Sequence, residues 1–140
     1  MKSKFLIRTC LGIISLFILI AFTGIFKFNI LQDDIYIEGS SLSEDDKGLF
    51  VGSWIEPIPG NESEVQGFRL NKDGSASSIN MHTLLYQKWV FKNGQLILTA
   101  KSIGNHSSSV DDETYSIELI GKNSLKLNNG FVSFTYKRIK

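Results

Sequence analysis

One cysteine, two histidines and a formal net charge of +1 in 140 residues leave few means for several kinds of function. A lone thiol can build neither a disulfide framework nor a Cys-ligated metal site. A near-neutral balance of charge excludes a polybasic nucleic-acid surface. The length leaves no room for a second large domain, and no catalytic signature stands out. What is present divides unevenly. Twenty hydrophobic residues fall in the first 31 positions, and Lys2, Lys4, Arg8 and Lys27 precede the first acid, Asp33. The remainder is half-polar and mildly acidic.

From Thr9 to Phe26 there are 18 uncharged residues in a row, rich in Leu, Ile and Phe. As a helix this run would rise about 27 Å, close to the hydrocarbon thickness of a bilayer. A cleaved signal peptide has a core of about 7 to 15 apolar residues and a small-residue cleavage site. Here the core is longer, and Ala21-Phe22-Thr23-Gly24 offers no Ala-x-Ala pattern. Residues 1–27 therefore read as an uncleaved signal anchor, with secretion after cleavage as the alternative. The basic flank stays in the cytoplasm, which places Phe28 onward on the far side of the membrane. Cys10 precedes the apolar run, so it reads as one more apolar residue of that helix and not as a lipidation site. Residues 28–47 carry Asp33, Asp34, Glu38, Glu44, Asp45 and Asp46 and read as a polar linker, with a short strand possible at Ile35-Tyr36-Ile37.

Residues 48–140 form the expected domain. Apolar and β-branched runs of five to eight residues alternate with turn signals, with a period of 2. Strands are expected at Leu49–Glu56, Val65–Leu70, Ser75–Asn80, Tyr86–Lys92, Gln95–Ile103, Thr114–Ile120, Leu125–Leu127 and Phe131–Arg138. Between them lie Pro59-Gly60, Asp73-Gly74, Asn93-Gly94, a loop at Gly104–Asp112, Gly121–Ser124 and Asn129-Gly130. Asn-Gly and Asp-Gly supply the positive backbone angles of tight hairpins, so neighbours in sequence should be antiparallel neighbours in space. Alternation assigns the buried face to Phe50, Gly52 and Trp54, to Leu96, Leu98 and Ala100, to Tyr115, Ile117 and Leu119, and to Val132, Phe134 and Tyr136. Val51, Phe91 and Ile97 interrupt the polar face. Hairpin-only connections and the need to hide sheet edges favour an all-β, eight-stranded antiparallel up-and-down barrel preceded by one N-terminal transmembrane helix.

Gly52-Ser53-Trp54, on the first strand of an eight-stranded meander, resembles the signature of the lipocalins. The wider run resembles the small lipocalin-like proteins of bacterial envelopes. It includes Gly67-Phe68-Arg69-Leu70 leading into Lys72-Asp73-Gly74, Ser77–Met81 with Thr83-Leu84 and Trp89, and Leu96-Ile97-Leu98 with Ser102–Asn105. The resemblance spans about Gly48 to Arg138. It implies a structural closure in which Trp54 floors the barrel beneath Arg138, with Lys137 as the alternative in register. A guanidinium over an indole contributes about 0.5 to 2 kcal/mol. The domain is shorter than a typical lipocalin, without a C-terminal helix or a pair of cysteines, which argues against a deep, large cavity.

An eight-stranded barrel can be filled by its own side chains or hold one small ligand. Met81, Leu84, Leu85, Tyr86 and Trp89 lie in or after the Asn80–Leu85 connection, where a rim would sit, and are the candidate ligand contacts; as core residues they would plug the same end. His82, His106, Asp111, Asp112 and Glu113 match no metal-ligand spacing. Ser107-Ser108-Ser109 beside His106 lacks the third group that orients a catalytic base. Asn61-Glu62-Ser63 and Asn105-His106-Ser107 are formal glycosylation sequons. The expected protein is thus a membrane-anchored, extracytoplasmic, lipocalin-like barrel without enzymatic activity or cofactor, which binds a small hydrophobic or amphipathic molecule. The alternative is a structural or interaction module of the envelope with a filled barrel, using a surface patch that includes Val51, Phe91 or Ile97.

Overall fold

The computed structural model describes residues 36–140; the apolar leader, Cys10 and the linker residues before Tyr36 lie outside them. Among the described residues no helix is long and apolar enough to cross a membrane. Nine strands of the described residues run in chain order: β1 (Ile37–Glu38), β2 (Gly52–Ile58), β3 (Asn61–Leu70), β4 (Ala76–Ile79), β5 (Leu84–Lys92), β6 (Gln95–Gly104), β7 (Ser107–Ile120), β8 (Ser124–Asn128) and β9 (Ser133–Ile139). The last eight follow the order β4-β3-β2-β9-β8-β7-β6-β5, all antiparallel. This is an up-and-down meander rolled until its first and last strands, β2 and β9, pair.

The remaining seam lies between β4 and β5. Only Ser75 and Lys88 form a bridge across it, and the Trp89 N–H donates to the Gly74 carbonyl at 2.9 Å. Further up, the Ser78 hydroxyl takes the place of a strand partner. It accepts from the Tyr86 N–H at 2.8 Å and donates to the Leu84 carbonyl at 2.7 Å. A four-residue strand with a bridging hydroxyl leaves the barrel nearly closed, with little free edge.

Turn chemistry sets the register. Asn93-Gly94 takes φ of 53° and 70° between Lys92 and Gln95, the mirror-image turn that matches strand twist. Asn105-His106 takes the same form, at 46° and 62°, between Gly104 and Ser107. The expected loop at Gly104–Asp112 is therefore absent, and β7 runs 14 residues from Ser107. Its first six residues are exposed on both faces, because this hairpin rises past the barrel and pairs only with β6. A strand with no apolar face reads from composition as a loop.

Other boundaries shift for local reasons. Leu49 and Phe50 belong to a 3-10 turn, Glu44–Phe50, and not to the first strand. The Asp46 carboxylate caps this turn by accepting from the Ser43 N–H at 2.8 Å and hydroxyl at 3.0 Å. Phe131 and Val132 are held outside β9 by the Asn129 side chain, which accepts both their N–H groups. Phe131 is 94% exposed and Val132 is itself exposed, so the expected inward position of Val132 is lost. Bulges alter two faces. One at Gln87 turns Phe91 inward, against the expectation that it breaks the polar face; another at Glu118 buries Ile120 where Leu119 was expected.

The polar stretch before Gly48 also carries structure. Beyond Ser116, β7 has no β6 partner, and β1 takes that edge by pairing Ile37 with Ile120 and Glu38 with Leu119. Ile37 and Leu42 pack against the core.

The core fills one end of the barrel, here termed the floor. Phe50, Trp54, Leu70, Trp89, Phe91, Leu96, Ile120 and Leu125 are buried there, while the buried Leu98 and Leu127 lie further up, paired with Glu113 and Phe134. Phe50 stacks within 4.9 Å of Phe91, and its carbonyl accepts the Trp54 indole N–H at 2.8 Å. Arg138 lies opposite Trp54 across β2 and β9, with its guanidinium carbon 4.1 Å from the indole centroid. Its Nε donates to the Lys122 carbonyl at 2.7 Å, Nη2 to the Leu49 carbonyl at 2.7 Å, and Nη1 to the Val51 carbonyl. Lys137, the alternative in register, faces outward and is exposed.

The guanidinium reaches those carbonyls only because Gly52 has no side chain. At φ +140°, a Cβ on Gly52 would sit 2.6 Å from Arg138 Nη1. Gly52→Ala should lower stability by about 1 to 3 kcal/mol through backbone strain and displacement of the guanidinium. Gly48→Ala, where a Cβ meets nothing within 4 Å, should leave it within about 0.5 kcal/mol. Thermal unfolding followed by tryptophan fluorescence distinguishes the two, and equal midpoints would contradict the assignment.

Candidate functional site

The opposite end, the mouth, is not filled. A cavity of about 300 Å³ opens there, at the lower end of the range of about 300 to 1,000 Å³ common for small-molecule sites. Its aromatic wall comes from inward positions of separate strands: Phe68 of β3, Tyr86 of β5, Tyr115 of β7, and Phe134 and Tyr136 of β9. Phe68 packs edge-on against Tyr86 and Tyr136, with centroids 5.7 and 4.9 Å apart. Tyr115 meets Phe134 edge-on at 6.3 Å. Offset and edge-on contacts of this kind are the favoured aromatic geometries. They leave the rings as fixed walls, with Met81 and Leu84 as apolar rim.

The polar groups are acids and hydroxyls. Glu113 Oε2 accepts from the Tyr86 hydroxyl at 3.0 Å and the Tyr115 hydroxyl at 2.9 Å. Glu56 Oε1 accepts from Gln66 Nε2 at 3.3 Å. Asn129 completes the polar lining, and no Lys, Arg or His takes part. The tyrosines respond to this setting. Burial pushes the Tyr86, Tyr115 and Tyr136 hydroxyls well above the ordinary tyrosine range, and the nearby carboxylates Glu113 and Glu56 add to the shift. All three are therefore neutral hydrogen-bonding groups through the physiological range.

The candidate contacts are divided between the two ends. Met81, Leu84 and Tyr86 come together at the cavity. Leu85 pairs with Lys101 and lies outside the cavity lining. Trp89 sits at the floor, where its indole N–H donates to the Asn71 carbonyl at 2.7 Å and its ring packs near Phe50. It borders a separate cleft of about 400 Å³ with Lys72, Asp73 and Glu44. The bulge at Gln87 keeps both Tyr86 and Trp89 inward, and the three-residue step along β5, about 10 Å, carries Trp89 from the mouth to the floor.

The two acids of the cavity, Glu56 and Glu113, were not among the candidate contacts, and neither were its other aromatic walls, Phe68, Tyr115, Phe134 and Tyr136. Glu113 counts back by two from Tyr115 and Glu56 forward by two from Trp54, so the period-2 rule that placed those aromatics inward places the acids inward also. The remaining chemistry-bearing residues stay apart. His82 and His106 are exposed, and Asp112 accepts from the Thr99 hydroxyl on the outer face. Among the described residues no group of His, Cys, Asp and Glu could hold a metal ion.

A larger groove of about 460 Å³ lies outside the floor beside Arg138. Lys122 and Lys140 share its lining, and Nε, Nη1 and Nη2 of Arg138 each donate to a carbonyl there.

An antiparallel barrel sealed at one end and open onto an aromatic, hydrogen-bonding cavity at the other is the architecture of a small-molecule binding barrel. The sequence model described as lipocalin-like matches residues 46–139, and the chain belongs to the lipocalin-like family. Among solved structures, the chain is similar to a lipocalin-like protein from Bacteroides thetaiotaomicron. The two are 43% identical, with a TM-score of 0.60, over 64% of this chain and 96% of that one. No curated protein matches.

The cavity tyrosines make stability sensitive to alkali. Their raised values in the folded state mean that the unfolded chain gives up these protons first, from about pH 10. Stability is retained below that value and falls as the pH rises above it. Tyr86→Phe should flatten the fall, as measured by unfolding midpoints between pH 8 and 11; an unchanged slope would contradict burial as the cause.

Proposed function

We propose that this protein binds a small, amphipathic molecule in the mouth cavity and does so at the outer surface of the membrane to which residues 1–27 anchor it. The observation that carries the binding reading is the contrast between the two halves of one barrel. The floor is packed with aromatic and aliphatic side chains, while the mouth holds about 300 Å³ lined by five aromatic rings and convergent polar groups. A ligand would enter past Met81 and Leu84, lay its apolar part against the rings and turn its polar part toward Glu113, Glu56 and the tyrosine hydroxyls. Binding accounts for this arrangement without any reaction step.

Membership of the lipocalin-like family supports a binding role, since this kind of barrel is built to enclose small molecules. The interaction-module alternative depended on an apolar patch at Val51, Phe91 or Ile97. Phe91 is in the core and Val51 and Ile97 are half-buried, so these three offer less apolar surface than that alternative assumed, although Ile97 pairs with the exposed Val90 on the outer face. Anchoring rests on the 18-residue uncharged run and its basic flanks.

The chain has two methionines, Met1 and Met81, so methyl labelling of methionine places one reporter on the cavity rim. In full-length protein held in phosphatidylcholine nanodiscs, short-chain alcohols should shift the Met81 methyl resonance saturably. Leu84→Trp, which fills the rim, should weaken that binding by about tenfold or more. Absence of a saturable shift across alcohols of four to eight carbons would refute the cavity as a binding site.

A further inference from the structure

The charge of the cavity points to the class of ligand. Two carboxylates, Glu56 and Glu113, line it together with three tyrosines and two phenylalanines, and no cationic side chain is present among the lining residues. A fatty carboxylate entering this space would bring a third negative charge with no partner, in a site where burial strengthens repulsion. A positively charged head meets the opposite situation. It is attracted by the carboxylates and by the faces of surrounding rings, the combination that recognises organic ammonium ions.

Acceptor capacity remains for such a head. Glu113 Oε2 is occupied by two tyrosine hydroxyls, but Oε1 makes no hydrogen bond to another described residue. Tyr136 is 5% exposed and lines the cavity, yet its hydroxyl also has no hydrogen-bonding partner among the described residues. No buried side-chain nitrogen or oxygen among the described residues lacks a partner, so this hydroxyl and Glu113 Oε1 are open to the cavity, where an entering donor or cation could meet both. The tyrosine hydroxyls pointed at Glu113 fix the carboxylate in place, so the negative charge is positioned before any ligand arrives.

We propose that the mouth cavity selects a small organic ammonium ion carrying a short apolar tail, with Glu113 and Glu56 as counter-charges and Phe68, Tyr86, Tyr115, Phe134 and Tyr136 as the aromatic cage. This rests on the reading of the mouth as a binding site and adds the charge of the ligand to it.

The test uses three probes with the same six-carbon tail: hexyltrimethylammonium, 1-hexanol and hexanoate. Each is titrated into full-length protein in phosphatidylcholine nanodiscs and followed by the Met81 methyl resonance. Hexyltrimethylammonium should bind at least about tenfold more tightly than hexanoate. Glu113→Gln should weaken the ammonium probe by about fivefold or more and 1-hexanol by a clearly smaller factor, and retained 1-hexanol binding reports that the variant is folded. Glu56→Gln should act in the same direction, and it provides the comparison should Glu113→Gln fail to fold. If hexanoate or 1-hexanol binds as tightly as the ammonium probe, or if neither Gln variant alters the ranking, the charge assignment is overturned while the cavity stands. If no probe shifts Met81, the binding site itself is refuted.

Discussion

The barrel depends on one cation held at its floor. Arg138 reaches from the last strand over the Trp54 indole and donates to three carbonyls, from Leu49, Val51 and Lys122. Those carbonyls belong to the 3-10 turn, the lead-in to β2 and the β7–β8 turn. One side chain thereby ties together the first and last strands and a distant hairpin. Partial burial draws the guanidinium pKa down from its ordinary value, but a group that starts so high remains charged. Loss of Arg138 would leave three carbonyls without these donors and an uncovered indole, so the cost would exceed that of the ring contact alone.

Because closure is concentrated at the floor, the mouth need not be packed to hold the barrel together. The two ends differ accordingly. At the floor, Phe50, Trp54 and Phe91 interlock with a ring of Leu and Ile side chains. At the mouth, aromatic rings meet edge-on around empty space, and their hydroxyls converge on a carboxylate. Buried acids and hydroxyls cost free energy unless they are paired; here Glu113 accepts from both Tyr86 and Tyr115, and no buried side-chain polar atom among the described residues lacks a partner.

Much of the fold was legible in the sequence because two signals agreed. Asn93-Gly94 and Asn129-Gly130 marked hairpins, and alternation in Leu96-Leu98-Ala100 and Tyr115-Ile117 marked the inner face. Gly52, Trp54 and Arg138 stood out by position, and the structure brings them into contact. Legibility failed where one residue breaks the alternation. The bulges at Gln87 and Glu118 each displace the residues that follow them, which is why Phe91 was expected on the outer face and Leu119 on the inner one. It failed again where a strand has no apolar face, as in Ser107–Asp112, and where a turn uses Asn-His in place of Asn-Gly. The cavity itself carries no sequence signal, since a filled and an open barrel require the same alternation. Its acids could have been found by continuing the inward face of β2 and β7 by one more step.

The central claim is a division of labour within a single barrel, with stability at the floor and binding at the mouth. Native-state hydrogen exchange resolved by residue tests it most directly. Backbone amides near the floor, at Trp54, Leu96, Leu125 and Arg138, should exchange only through global unfolding. Those of the mouth halves of β3, β5, β6 and β7 should exchange through local openings of lower free energy. Uniform protection along the strands, or faster exchange at Trp54 and Arg138 than at the mouth, would contradict the account.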